Sequence, residues 1–286
     1  MDSVVKTMIS GYQPQNIYEK KNAAKEVMQE VVLCGLSRAG FFKKAAFYGG
    51  TALRIFYGLQ RFSEDLDFSL TKADDTFSLS AYFPILEKEL RAYGFNLVIE
   101  EKTKTKDTAI KSAFLKGNTK EHLLLFYADR DIAGINDKEI LKIKFEIDLN
   151  PPPYATFETK YRLRPVPYQI TLYDEASLFA GKLHAVIGRS WKNRVKGRDL
   201  YDYIFYLSKG TKCNLKHLQA RLIQSGHLAA ASSWSAEDVK RMLRERFERI
   251  DYQQAKKDVE PFITDASVLD LWSKEFFVQI TENLKA

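Results

Sequence analysis

Two aspartates one residue apart, Asp65 and Asp67, stand in the run Arg61-Phe62-Ser63-Glu64-Asp65-Leu66-Asp67-Phe68, shortly after a glycine pair in Tyr48-Gly49-Gly50-Thr51-Ala52-Leu53-Arg54. On a strand, a period of two sends both carboxylates to one face and Leu66 and Phe68 to the other. Two like charges that close repel unless a cation sits between them, and hard carboxylate oxygens suit Mg²⁺. The chemistry implied is metal-held phosphate chemistry. Asp-x-Asp also decorates exposed strands, and Gly-Gly also makes plain turns, so neither element decides alone.

A third acidic position comes from Leu141-Lys142-Ile143-Lys144-Phe145-Glu146-Ile147-Asp148-Leu149, where apolar and charged side chains alternate without a break. Leu141, Ile143, Phe145, Ile147 and Leu149 make an apolar face, and Asp148 closes the polar row of Lys142, Lys144 and Glu146. Placed beside the Asp65/Asp67 strand, Asp148 becomes the third carboxylate of a two-metal centre that clamps attacking and leaving oxygens. The same strand, taken alone, also reads as an amphipathic strand with solvated charges.

These residues need a scaffold, and the chain supplies one. Helices are expected up to about Ala39, with Gln15 or Asn16 as a start and apolar residues at helical spacing from Ala23 to Leu36. Phe47-Tyr48 ends a short strand, Gly49-Gly50 turns, and a short helix from Thr51 to Gly58 offers phosphate its N-terminal N–H groups. Ser63, two residues before Asp65, would share the metal-facing side or shape the loop. Helical spacing predicts a helix from Ala81 to Tyr93, stopped by Gly94, then strands over Phe95–Glu101, Ala109–Lys116 and Leu123–Ala128 before the Asp148 strand. That makes a mixed sheet of about five strands and an α+β fold. Pro151-Pro152-Pro153 stops the sheet, and Pro165 and Pro167 keep the chain irregular or at a sheet edge to about Gln169. The expected division is therefore 1–169 and 170–286, the second part nearly all helical and opening on Asp174 as an N-cap.

With those motifs in order, the chain resembles the nucleotidyltransferases of the DNA polymerase β type, and more narrowly the AbiEii/AbiGii toxin family. The narrower resemblance rests on Gly49-Gly50-Thr51-Ala52-Leu53, on Arg61 to Phe68, on a late helix with Lys182, and on Gly197-Arg198-Asp199-Leu200-Tyr201-Asp202. It covers roughly residues 45–207, and four motifs in sequence make chance agreement improbable. One departure is that many polymerase β-type enzymes place Ser after the first glycine, where this chain has Gly50 and then Thr51. A hydroxyl contact to phosphate would then fall to Thr51, or be left to backbone N–H groups.

The resemblance implies a polymerase β-like core followed by a helical domain, with the nucleotide in the cleft between them. It implies two Mg²⁺ ions on Asp65, Asp67 and Asp148, with Asp148 also helping to take the attacking proton. Nucleotide contacts would come from Gly49, Gly50, Thr51, Ser63, Lys182, Arg198, Asp199 and Asp202, with Lys182 on the triphosphate of the NTP substrate. It also implies a toxin with growth inhibition as its outcome, a cognate antitoxin, and tRNA 3′ ends as the acceptor used by some relatives. Asp199 near a helix start also suits the helix dipole, and Arg198 and Asp202, four apart, are placed to pair.

Composition bounds the rest. Hydrophobic residues make up 45% of the 286, with 19 Phe and 15 Tyr, which is ample for a core and argues against global disorder. No apolar run approaches a membrane span and the first residues lack a secretory layout, so a cytoplasmic, membrane-free protein is expected. Cys34 and Cys213 stand alone, without disulfide or zinc spacing. The net charge of +7 suits a polyanion, and Lys182, Arg189, Lys192, Arg194, Lys196 and Arg198 span a stretch with no acid in it. Trp191 inside that stretch is either a base-stacking platform or a core anchor. His184 is the histidine nearest Lys182, and packing explains it. Two rival readings keep the same residues: a transferase acting on a small molecule such as an antibiotic, and a non-catalytic nucleotide-binding interaction protein. The basic segment counts against the first and the full set of carboxylates against the second.

Overall fold

A computed structural model describes residues 2–101, 119–128, 140–190, 195–230 and 234–286. The strand expected over Ala109–Lys116 lies outside these, as do Trp191, Lys192 and Arg194. The chain divides into two compact units, one of Met1–Ala52, Ser63–Pro151 and Glu158–Leu172, the other of Leu53–Phe62, Pro152–Phe157 and Tyr173–Ala286.

The first unit is built on a mixed sheet. Helices α1 (Asp2–Ser10) and α2 (Ile17–Arg38) lead into β1 (Ala45–Tyr48), α3 (Gly49–Tyr57) and β2 (Leu66–Leu70). Then come α4 (Phe83–Ala92), β3 (Phe95–Glu101), β4 (Thr119–Ala128), β5 (Ile140–Asp148), β6 (Phe157–Arg162) and β7 (Tyr168–Tyr173). The strand order is β3-β4-β5-β2-β1-β7-β6. Two central pairings set the site: β1 runs antiparallel to β2, and β2 runs parallel to β5.

Local chemistry explains these elements. Asn16 caps α2 by accepting the Glu19 N–H, and the helix buries Ala23, Val27, Val31 and their neighbours. Phe41, Phe47, Phe68 and Phe145 are fully buried on the sheet, with Phe68 stacked on Phe145 at 4.6 Å and met edge-on by Phe41 at 5.0 Å. Each such ring contributes about 1.5–3 kcal/mol by leaving water. The apolar row of β5 is buried at Ile143, Phe145 and Ile147, and Leu149 beyond it is buried too, which forces Lys144, Glu146 and Asp148 to the opposite face.

The fold is α+β, with one difference in the sheet. Among the described residues it has seven strands rather than about five, because residues 157–173 form β6 and β7 instead of an irregular segment. Pro165 and Pro167 fall between the two strands, where no ladder N–H is needed.

The second unit is helical over most of its length. Asp174 caps α5 (Glu175–Gly188) by accepting the Ser177 N–H, and α6 (Gly197–Lys209) ends on Gly210 in the left-handed conformation. Then follow α7 (Leu215–Gln224), α8 (Ala236–Phe247), α9 (Tyr252–Val259) and α10 (Lys274–Ile280). Phe179 on Tyr206 at 4.5 Å, and Phe247 against Tyr203 and Phe277, form its aromatic core. Gly197 is required by close packing: a Cβ there would lie 1.8 Å from the Ala255 carbonyl oxygen. Cys34 and Cys213 are buried free thiols, which burial pushes up to about 11 and about 12. Among the described residues, no helix is long and apolar enough to cross a membrane.

Candidate active site

In the sheet unit, the site is built around Asp67. Its strand position pairs with Tyr48 of β1 on one side and with Glu146 of β5 on the other. Gly49 opens α3 with φ +83°, and a Cβ on it would stand 2.3 Å from Asp67 Oδ2. Glycine is needed there twice over, for the backbone angle and to let the carboxylate lie against the start of the helix. Asp65 immediately precedes β2, two residues from Asp67, and both are partly exposed.

The Thr51 hydroxyl is engaged inside the protein. The residue is 1% exposed, and its Oγ1 donates to the Asp65 carbonyl at 2.5 Å, so it braces the aspartate segment against the helix. The Ser63 carbonyl is held in turn by Gln29 Nε2 at 3.1 Å, and Glu64 by Lys25 at 3.0 Å. These contacts fix the backbone that carries Asp65.

Register separates the two acids of β5. Glu146 stands directly across from Asp67, whereas Asp148 stands across from Ser69. Directly opposed side chains lie about 5 Å apart at Cβ and diagonal ones about 7–8 Å. Asp148 therefore belongs to the same row but one step further, and its Oδ1 accepts the Asn150 N–H at 3.0 Å where the strand ends. Glu146, to which the sequence alone assigns no role, is the acid nearest Asp67 across the ladder and is ion-paired to Lys144. Only strand register could have shown this, since Glu146 and Asp148 have the same parity. Among the described residues, no three carboxylates, imidazoles or thiolates already close around one point. The row of hard oxygen donors at Asp65, Asp67, Glu146 and Asp148, pressed at Asp67 against a glycine-started helix, fits a divalent cation in donor chemistry.

The helical unit holds a second set. Lys182 of α5 donates to Asp199 Oδ1 at 2.7 Å and lies 2.7 Å from Asp202 Oδ2, both on α6. Arg61 binds Asp202 through two bonds of 2.6 Å, and Arg189 reaches Asp199 at 2.5 Å. Arg61 and Asp202 are 3% and 0% exposed, so each charge is retained only because the other is present. Burial alone would raise the Asp199 carboxyl, but Lys182 and then Arg189 outweigh it and hold it at about 2. Arg61 is likewise opposed by burial, and Asp202 more than restores its charge.

Two expectations change here. Arg198 does not pair with Asp202, whose oxygens are taken by Arg61 and Lys182; it stacks over Phe262 at 4.3 Å with Asp258 at 3.9 Å. The acid-free stretch from Lys182 to Arg198 is not a bare basic row either, because Lys182, Arg189 and Arg198 find acids beyond it. Arg61 was missed as a site residue, although a buried arginine at the head of an acidic motif demands a carboxylate somewhere.

A mixed sheet with Asp-x-Asp at the start of one central strand, a glycine-started helix before it and a helical unit after it defines the nucleotidyltransferase class of fold. Solved structures agree. JHP933 from Helicobacter pylori matches at 17% identity, covering 91% of this chain and 90% of that one, with a TM-score of 0.53. MenT4, a nucleotidyltransferase toxin from Mycobacterium tuberculosis H37Rv, matches at 16% identity over 100% and 91%, with a TM-score of 0.54. A putative nucleotidyltransferase from H. pylori matches at 16% identity over 89% and 90%, with a TM-score of 0.50. No curated protein matches. The family model described as "Nucleotidyl transferase AbiEii toxin, Type IV TA system" matches residues 31–279, and the chain belongs to that family.

Proposed function

We propose that the protein transfers a nucleoside monophosphate from an NTP to a hydroxyl of an RNA acceptor, tRNA 3′ ends being the class implied by the family resemblance, with Mg²⁺ as cofactor. The observation that carries this reading is Asp67 lying against Gly49 with Glu146 directly across the ladder. The acceptor oxygen forms a bond to the α-phosphorus, the bond from that phosphorus to the bridging oxygen breaks, and pyrophosphate leaves with the electron pair. Asp65, Asp67 and Glu146 would hold the divalent ions, with Asp148 next in the row. When bound, the ions supply charge neutralisation to the triphosphate. Glu146 or Asp148 receives the hydroxyl proton, and the N–H groups of Gly49 and Gly50 bind phosphate oxygens; the family resemblance assigns the ammonium of Lys182 to phosphate as well. Asp199 and Asp202 hold that ammonium at a set place, while Arg198 serves through its packing on Phe262. As a type IV toxin, the protein would act in the cytoplasm, with its antitoxin as regulatory partner.

The test incubates the protein with each labelled NTP, Mg²⁺ and total RNA, beside Asp65→Ala and Asp67→Ala variants. Label on RNA that both variants lose supports the proposal. Label only on small molecules points to the small-molecule transferase, and no label anywhere points to a binding protein.

A further inference from the structure

Three of the chain's four histidines meet on the helical unit, outside the residues assigned above. His217, Arg221 and Ser225 recur at four-residue spacing on and just beyond α7, so they share one helix face. They meet Gly181, His184 and Gly188 of α5, with the Arg221 Cζ 3.9 Å from where a Gly181 Cβ would be and the His227 ring 3.1 Å from a Gly188 Cβ. His184 Nε2 and His227 Nδ1 both bond the Ser225 Oγ, at 3.0 and 2.8 Å, and that hydroxyl also donates to the Leu222 carbonyl at 3.2 Å.

Arg221 is the unusual member. Its Nη1 donates to His217 Nε2 at 3.4 Å, and the other His217 nitrogen must carry hydrogen because it faces the Pro153 carbonyl at 2.8 Å. The guanidinium therefore leans on a neutral imidazole. Its Nε is buried without a partner, and among the described residues no carboxylate pairs with it. The titratable groups acting on His184 are Arg221, His227, Arg189 and His217, none of them acidic; burial first, and then these, push its pKa down to about 3. Asp174 acts on His217.

Helix ends explain one neighbour but not this cluster. Arg246 donates to the carbonyls of Val186 and Arg189 at the end of α5, as a cation at a helix C-terminus should. Arg221 does nothing of the kind: its side chain runs back one turn to His217 and lies along the middle of α5.

We propose that Arg221, Ser225 and His227, positioned by His184 and His217, form a phosphate-binding site that receives a phosphodiester of the RNA acceptor. Arg221 supplies a planar fork for phosphate oxygens, Ser225 its hydroxyl hydrogen on turning from the Leu222 carbonyl, and His227, which is exposed, a ring N–H. The identity of the phosphate carrier rests on the RNA reading above. Free phosphate or pyrophosphate presents the same chemistry, so the test separates the sources.

The experiment measures anisotropy of a short fluorescein-labelled single-stranded RNA with the full chain carrying Asp67→Asn, so that no transfer intervenes. Adding Arg221→Gln or His227→Ala should weaken binding about five-fold whatever the RNA sequence, and lower the slope of log K against log salt by about 0.7. Arg221→Lys should restore most of the affinity. Sodium phosphate and pyrophosphate should displace RNA from the parent more effectively than from Arg221→Gln. Unchanged RNA affinity and slope in both variants, with thermal unfolding matching the parent, overturns the RNA site. If Arg221→Gln then alters only inorganic phosphate binding, the RNA assignment falls and the site belongs to the free ion. Binding needs no turnover, so a lost slope in a protein that never labels RNA keeps the site and refutes the transferase. Transfer to RNA with an unchanged slope does the opposite.

Discussion

The two units keep their acids in opposite ways. In the sheet unit, Asp67 and Glu146 face each other because two parallel strands are in register, and both stay partly exposed. In the helical unit, Asp199 and Asp202 are buried and each is bound by two cations: Lys182 and Arg189 for the first, Lys182 and Arg61 for the second. A backbone ladder survives loss of one surface carboxylate, whereas a buried ion network does not, since removal of one member strands the others. Stability should therefore follow the helical acids, and chemistry the sheet acids.

The largest expected effect on stability comes from Asp202→Ala, which leaves Arg61 buried without its fork. Unfolding free energy should fall by about 3–5 kcal/mol in denaturant titration; a change under about 1 kcal/mol would show that the network is incidental. Next is Gly49→Ala, which combines a positive φ with a clash against Asp67. A loss of about 2 kcal/mol, with transfer abolished, is expected on thermal unfolding and activity assays.

Asp199 comes third, read through pH. Its folded pKa of about 2 lies below the ordinary 3.8, so its stabilising contribution is present above about pH 4 and disappears as pH falls toward 2. Wild type should lose about 2 kcal/mol more than Asp199→Asn across that window. Equal slopes would mean that Lys182 and Arg189 do not act on Asp199 in solution. The smallest effect is that of Arg198→Ala, about 1 kcal/mol from lost stacking on Phe262.

Much of this was legible without coordinates. The glycine pair, the Asp-x-Asp run, the Asp174 cap and the alternation of Ile143 to Leu149 are local patterns, and local patterns declare themselves in the chain. Three features were not legible, each for a stated reason. Glu146 and Asp148 share a strand face, so parity could not choose between them, and only pairing with β2 did. Arg198 stands four residues from Asp202 at pairing distance in sequence, but Arg61, 141 residues distant, takes Asp202 with two bonds. Strands β6 and β7 were obscured because prolines mark the turn between them as strongly as they would mark irregular chain. Thr51 shows a further limit, since a hydroxyl in a phosphate-type turn carries no sign that it will be buried against the Asp65 carbonyl.

The comparison is sharpest in a single assay of labelled NTP transfer to RNA, run with Asp67→Asn, Glu146→Gln and Asp148→Asn on proteins of matched thermal stability. The account predicts that Asp67→Asn and Glu146→Gln each lose at least about a hundred-fold in rate, and that Asp148→Asn loses clearly less. Wild-type rates in the first two would contradict the claim that Asp67 and the acid opposite it form the reacting centre.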